Sequence, residues 1–312
     1  MPTSVTVAVV GAPDVAKELG KKGTSSDLTL FNAVHDEHAI TLVEPTQFPE
    51  KFPPLVQALA MADQALLIVR ELARPVAEAI AILDLETVPT TIVLDPTVGE
   101  ADLGRILKGT RLEGAPRTAF DLPQLRGLLE RWAAPTVEGT VEVGIDHAFP
   151  VKGVGAVALG VVRRGTLRAH DRLRLYPTPK EVEVRSIQVH DVDRKEAGCG
   201  ERVGVSLKGA DADELARGQV LAPPGTLQEG TSVVGGPLER CRYYRGDAGP
   251  GASLHLALGL QVVPARLEAA GPEGVTVVAD RPVAWRAGAF GYLLDLSVPA
   301  GPRIVGRFSP KG

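Results

Sequence analysis

The pattern of apolar residues changes character near residue 134, and that change limits the folds open to the chain. Before it, strand-like runs alternate with helical spacing. VTVAVVG (5–11) is an apolar run ending in glycine, as a buried parallel strand would be, and AITLVEP (39–45), QALLIV (64–69) and TTIVLDP (90–96) read as further strands. Between them, PPLVQALAMA (53–62) and PVAEAIAILDL (75–85) carry helical spacing with proline near the start, and QLRGLLERWA (124–133) is a last amphipathic helix. After APTVEG (134–139) the helical signal is gone. Short β-branched runs such as TVEVGI, AVALGVV, VEVRSIQV and RVGVSL recur between Gly, Pro and Asp, which predicts an antiparallel barrel. APPGTLQEG (222–230) marks a second boundary, and the strand-like LHLALGLQVVPARLEA, GVTVVADRPVAW and RIVGRF follow it. The expected architecture is multidomain α/β plus all-β, with an α/β domain over 1–135 and barrels over 139–224 and 229–312.

Composition narrows the function classes. Aromatics are only 4% of the 312 residues, so Ala, Val and Leu must fill the cores. No apolar run reaches the roughly 18 residues of a membrane span, and no basic, hydrophobic leader is visible, so a cytoplasmic protein without membrane contact is expected. Cys199 and Cys241 fit neither a disulfide framework nor a zinc site. Residues 1–137 carry 12 basic and 18 acidic side chains, a poor platform for polyphosphate, whereas 226–312 carry 9 basic and 7 acidic. Charge alone neither predicts nor excludes nucleic-acid binding.

The most specific signal lies in 141–222. VGIDHAFPVKGVGAVALGVVRRGTLRAHDRLRLYP, then EVRSIQVHDVD, then GCGERVGVSLKGADADELARGQVLAPPG resembles, almost without gaps, the second domain of translation elongation factors of the EF-Tu type, and most closely the selenocysteine-specific SelB branch. RPVAWRAGAFGYLLDL (281–296) and Pro302-Arg303-Ile304-Val305-Gly306 are similar to the third domain, whose late strand reads R-I-[IV]-G. Lys51-Phe52, ADQALLIV (62–69) and Thr118-Ala119 resemble, in order, stations of the first domain. The resemblance implies a P-loop-GTPase-like α/β domain followed by two elongation-factor-type β-barrels. No RNA-hairpin-reading domain is expected after Gly312.

The nucleotide stations depart from that family. Gly11-Ala12-Pro13-Asp14-Val15-Ala16-Lys17-Glu18 stands where the phosphate loop G-x-x-x-x-G-K-[ST] belongs, and Gly11 and Lys17 keep its spacing. Ala16 adds a Cβ that crowds the loop, Pro13 removes an N–H donor, and Glu18 puts a carboxylate where a hydroxyl would hold magnesium. A Gly and a Lys at this spacing also describe an ordinary strand-to-helix turn. Glu44-Pro45-Thr46-Gln47 stands for D-x-x-G, Phe48 falls near the family's catalytic histidine, and Asp95-Pro96-Thr97-Val98 stands for the guanine-reading N-K-x-D. Only 27 residues separate Lys17 from Glu44, too few for the family's long first switch segment. The expectation is a non-enzyme with a degenerate GTPase domain, no catalytic or metal residues, and no GTP or magnesium cofactor.

In the second domain the resemblance implies an aminoacyl pocket. The SelB-like family places an Asp followed by His or Arg on the first barrel strand and an Arg in a later G-[DE]-R-[VL]-G, and here Asp146, His147 and Arg202 match in type and place. A fixed guanidinium beside an imidazole suits a selenolate, thiolate or phosphate, with Asp146 orienting the cation. The plainer alternative is a strand-end ion pair with a half-buried histidine. Lys152 lies in K-G-x-G, either a ligand-approach loop or a tight turn. Arg240, Arg242, Tyr243, Tyr244 and Arg245 mix basic and aromatic residues as a tRNA backbone contact would, or as a solvated strand would. His190 with Asp191 and Asp193 is too common a pattern to indicate a metal. The expected partners are aminoacyl-tRNA, the ribosome or both, with other translation factors as a further class. Residual GTP binding and a pure protein-interaction module remain as alternatives.

Overall fold

The computed structural model describes residues 3–35, 38–299 and 301–312. The chain divides into two compact units. The first comprises Met1–Ala134, Arg240–Gly246 and Asp295–Gly306; the second comprises Pro135–Glu239, Asp247–Leu294 and Arg307–Gly312. The stretch expected to form one C-terminal barrel therefore lends two short segments to the α/β unit.

The first unit is built on one sheet with the strand order Lys21–Ser25, Thr29–His35, His38–Glu44, Thr3–Val10, Gln64–Val69, Thr90–Leu94, Arg117–Ala119. The last five run parallel, and the first two join them antiparallel. Val7, Val9, Leu42, Leu66, Ile68 and Val93 are fully buried, as parallel strands covered by helices require. Three helices, Pro53–Met61, Arg74–Leu83 and Leu122–Leu129, each begin with proline in their first turn, where the missing N–H costs nothing. The interval between Lys17 and Glu44 holds the two antiparallel strands Lys21–Ser25 and Thr29–His35.

The second unit is strand throughout apart from one short 3-10 turn. One sheet runs Arg172–Tyr176, Val220–Ala222, Glu142–Val151, Gly155–Arg164, Arg202–Lys208, Glu181–Val189, Val192–Arg194. Arg172–Tyr176 also pairs with Glu181–Val189, which closes the first six into a barrel and removes their edges. Val143, Ile145, Val162, Leu175, Val184 and Leu221 fill it. In the next sheet five strands run in the order Gln228–Gly235, Gly274–Trp285, Gln261–Gly271, Ser253–Leu258, Gly291–Leu294, and Gly235 is bridged to Pro310. Among the described residues, no helix is long and apolar enough to cross a membrane.

Candidate functional site

Asp146 lies on Glu142–Val151, where the pairing with Gly155–Arg164 slips by one residue. Ile145 faces Gly160 and His147 faces Leu159, so Asp146 is the extra residue of a β-bulge. In a regular strand Asp146 and His147 would point to opposite faces. The bulge breaks that alternation and sends both side chains into one cluster. Asp146 is 1% exposed. Its Oδ1 meets His147 Nδ1 at 2.6 Å and accepts Arg202 Nη2–H at 2.9 Å, while Oδ2 accepts Nη1–H of the same guanidinium. Arg202 comes from the strand Arg202–Lys208, which lies beside Gly155–Arg164.

A loop that motif comparison overlooked completes the cluster. Arg217 Nε–H donates to the Asp146 carbonyl at 3.1 Å, and the Gly218 N–H and Gln219 carbonyl pair with Ile145 just before the bulge. His190 also lies within reach of Arg202's field, on a turn where His190 and Asp191 both adopt positive φ. Burial, reinforced by Arg202, pushes the His190 imidazole below its usual pKa. Arg217 had no signal beyond being an arginine in a Gly-containing loop.

The electrostatics of this cluster centre on the Asp146 carboxylate and the Arg202 guanidinium. Burial pushes the Asp146 carboxyl upward, but the Arg202 charge and the hydrogen bonds from His147 and Arg202 hold it below the ordinary carboxylate range. Around His190 the Arg202 charge is met by those of Asp191 and Glu201, so the cluster mixes both signs. The Arg202 and His147 side chains remain 10% and 14% exposed, so each meets solvent at one edge. Lys152 is elsewhere. It sits in the turn between the paired strands, where Gly153 and Gly155 take positive φ, beyond the strand positions of the cluster. Among the described residues no group of His, Cys, Asp and Glu could hold a metal.

In the first unit, Gly11 ends the strand Thr3–Val10 with φ +98, and a Cβ there would lie 2.4 Å from the Ile68 carbonyl oxygen, so only glycine fits. Lys17 Nζ pairs with Asp14 at 2.9 Å, and that hydrogen bond and charge raise the ammonium pKa. The Glu44 carboxylate accepts the backbone N–H groups of Asp14 and Ala16. A cavity of about 330 Å³ opens beside this loop, lined by Gly11, Pro13, Glu44, Phe48, Arg70 and Val76 among others. Asp95 accepts the N–H and hydroxyl of Thr97 at 3.0 and 2.7 Å, an Asx turn that lowers its pKa.

Arg242 and Tyr243 belong to the first unit rather than to the one that holds Asp146. Arg242 Nε lies 3.4 Å from Asp84 Oδ2, and Tyr243 donates its hydroxyl to the Ile106 carbonyl at 3.3 Å. Tyr244 donates to Asp295 at 2.6 Å. The basic and aromatic cluster thus spends part of its chemistry on attaching the segment 240–246, while Arg242 stays about half exposed at 49%.

The barrel that holds Asp146 and Arg202 has relatives among known proteins. The model of the family elongation factor Tu domain 2 matches residues 155–222. An uncharacterized protein of Methanocaldococcus jannaschii is 40% identical over 224 residues, covering 70% of this chain and 72% of that protein. The selenocysteine-specific elongation factor of the same organism is 28% identical over 287 residues, covering 84% of this chain and 61% of its own length. The chain is related to that uncharacterized Methanocaldococcus protein and is SelB-like, with a second domain of the elongation factor Tu type. The crystal structure of elongation factor SelB from Methanococcus maripaludis with the GTP analogue GPPNHP superposes with a TM-score of 0.86 at 22% identity, covering 99% of this chain and 79% of that one. The fold is therefore that of SelB: an α/β domain followed by β-rich domains. The present chain spans about three fifths of the curated selenocysteine-specific factor.

Proposed function

We propose that this chain is a translation factor that binds aminoacyl-tRNA through its first barrel without hydrolysing GTP, and that it acts in the cytoplasm. The observation that carries the reading is the bulge-built cluster of Asp146, His147 and Arg202. Asp146 fixes the guanidinium plane and the imidazole, and the solvent edge of the Arg202 guanidinium offers N–H donors to an anionic or polar aminoacyl group. No bond is made or broken in this scheme. The cluster positions the aminoacyl group, and Arg242, one of three exposed arginines on the segment 240–246 with Arg240 and Arg245, suits phosphate contact.

GTP with magnesium does not fit the first unit's residues. Glu18 stands where a hydroxyl would ligate the metal, the Asp14 and Ala16 N–H groups already serve Glu44, and Asp95 is turned on Thr97. No step is assigned to a nucleotide. The test is binding of one aminoacyl-tRNA in charged and deacylated form. The wild type should prefer the charged form, and Arg202→Ala should lose roughly 10-fold or more of charged binding while deacylated binding changes little. Equal wild-type affinity for the two forms would sink the pocket assignment.

A further inference from the structure

The loop of the first unit is filled by carboxylates of the chain itself. Glu44 is 5% exposed, and its Oε1 and Oε2 accept the N–H groups of Asp14 and Ala16 at 3.0 and 3.2 Å. These donors stand at the strand-to-helix turn, where a loop of this shape presents N–H groups to an anion. The ammonium of Lys17, the other cation such a loop offers, is engaged by Asp14 at 2.9 Å. Both elements of phosphate recognition therefore already have anionic partners.

The sheet holds Glu44 in this position. It ends the strand His38–Glu44, which is paired in parallel with Thr3–Val10 and faces Thr29 in the antiparallel neighbour. The loop answers with Asp14 at φ +67 and Gly11 at φ +98. We propose that Glu44, assisted by Asp14, is a built-in substitute for bound phosphate that keeps this loop in its filled form with no nucleotide. A carboxylate tethered by strand pairing acts at high effective concentration and does not diffuse away. A polyphosphate would have to expel it and then lie beside its charge. The device rests on the proposed GTP independence and gives it a physical cause.

The experiment is thermal unfolding of the full chain and of Glu44→Ala in sodium phosphate or sodium chloride at equal ionic strength. The wild-type midpoint should rise only by the small, general stabilisation that phosphate gives a folded chain, and less than that of Glu44→Ala. Glu44→Ala should melt roughly 2–8 °C lower in chloride and recover at least about half of that loss in phosphate, because the freed donors bind the added anion. No phosphate-specific recovery, or equal phosphate stabilisation of the wild type, would overturn the proposal. If Glu44→Ala does not fold, amide exchange of Glu44→Gln decides. Faster exchange at Asp14 and Ala16 supports the substitution, and unchanged protection overturns it. GTP binding by the wild type would end the GTP-independent reading, whereas absent phosphate rescue alone ends only this one.

Discussion

Asp146 carries the proposed recognition cluster and also bears on stability. Its carboxyl titrates below the ordinary range in the folded chain, so between the folded and unfolded values the native state binds fewer protons than the unfolded one. The stability it contributes is present above about pH 4 and disappears as pH falls through the folded value. Asp146→Asn should therefore flatten the acid limb of stability measured by urea unfolding. At neutral pH it should cost roughly 3–5 kcal/mol, because Arg202 is left buried without its charge partner. An unchanged acid limb would show that Asp146 is not the group responsible. The residue types at this cluster were legible in the sequence, because a short motif specifies type and spacing. The bulge was not, since no residue marks the slip between Ile145 and His147, and without it the two side chains would diverge. Glu44 was legible only as a missing aspartate; that its carboxylate fills the loop needed the three-dimensional register.

At the scale of elements, Arg303 is the clearest case of a residue whose strand is legible in sequence, at Ile304–Phe308, while its partners are not. The sequence marks Arg303 as part of a third-domain strand. In the structure its Nε–H and Nη2–H donate to Glu78 at 2.9 and 2.6 Å, Nη2 also reaches the Pro49 carbonyl, and the guanidinium lies over Phe52. Glu78 is 0% exposed on the helix Arg74–Leu83. Arg303→Ala should destabilise by about 3–5 kcal/mol in urea unfolding, because Glu78 keeps a buried charge without its main partner. The double variant Arg303→Met with Glu78→Gln should recover much of that loss. If the single and double variants were equally destabilised, the pair would not be the cause. Long apolar elements such as Gln64–Val69 were readable because both faces are buried. The strand Lys21–Ser25 was not, because it is a polar, largely exposed edge whose partner alone makes it a strand.

The whole molecule carries a barrel with the Asp146, His147 and Arg202 cluster and an α/β unit whose loop holds the Glu44 carboxylate. These two features belong together if the chain holds its cargo without a nucleotide cycle. Its affinity should then depend on the aminoacyl group and on salt, since phosphate contacts release counterions, but not on GTP. The most direct test is the dissociation constant for one aminoacyl-tRNA, measured with and without saturating GTP and Mg²⁺ at fixed ionic strength. The account predicts values equal within about twofold, with the charged form bound more tightly than the deacylated form in both conditions. Binding that tightens about tenfold or more on adding GTP, with loss of that gain on hydrolysis, would contradict it.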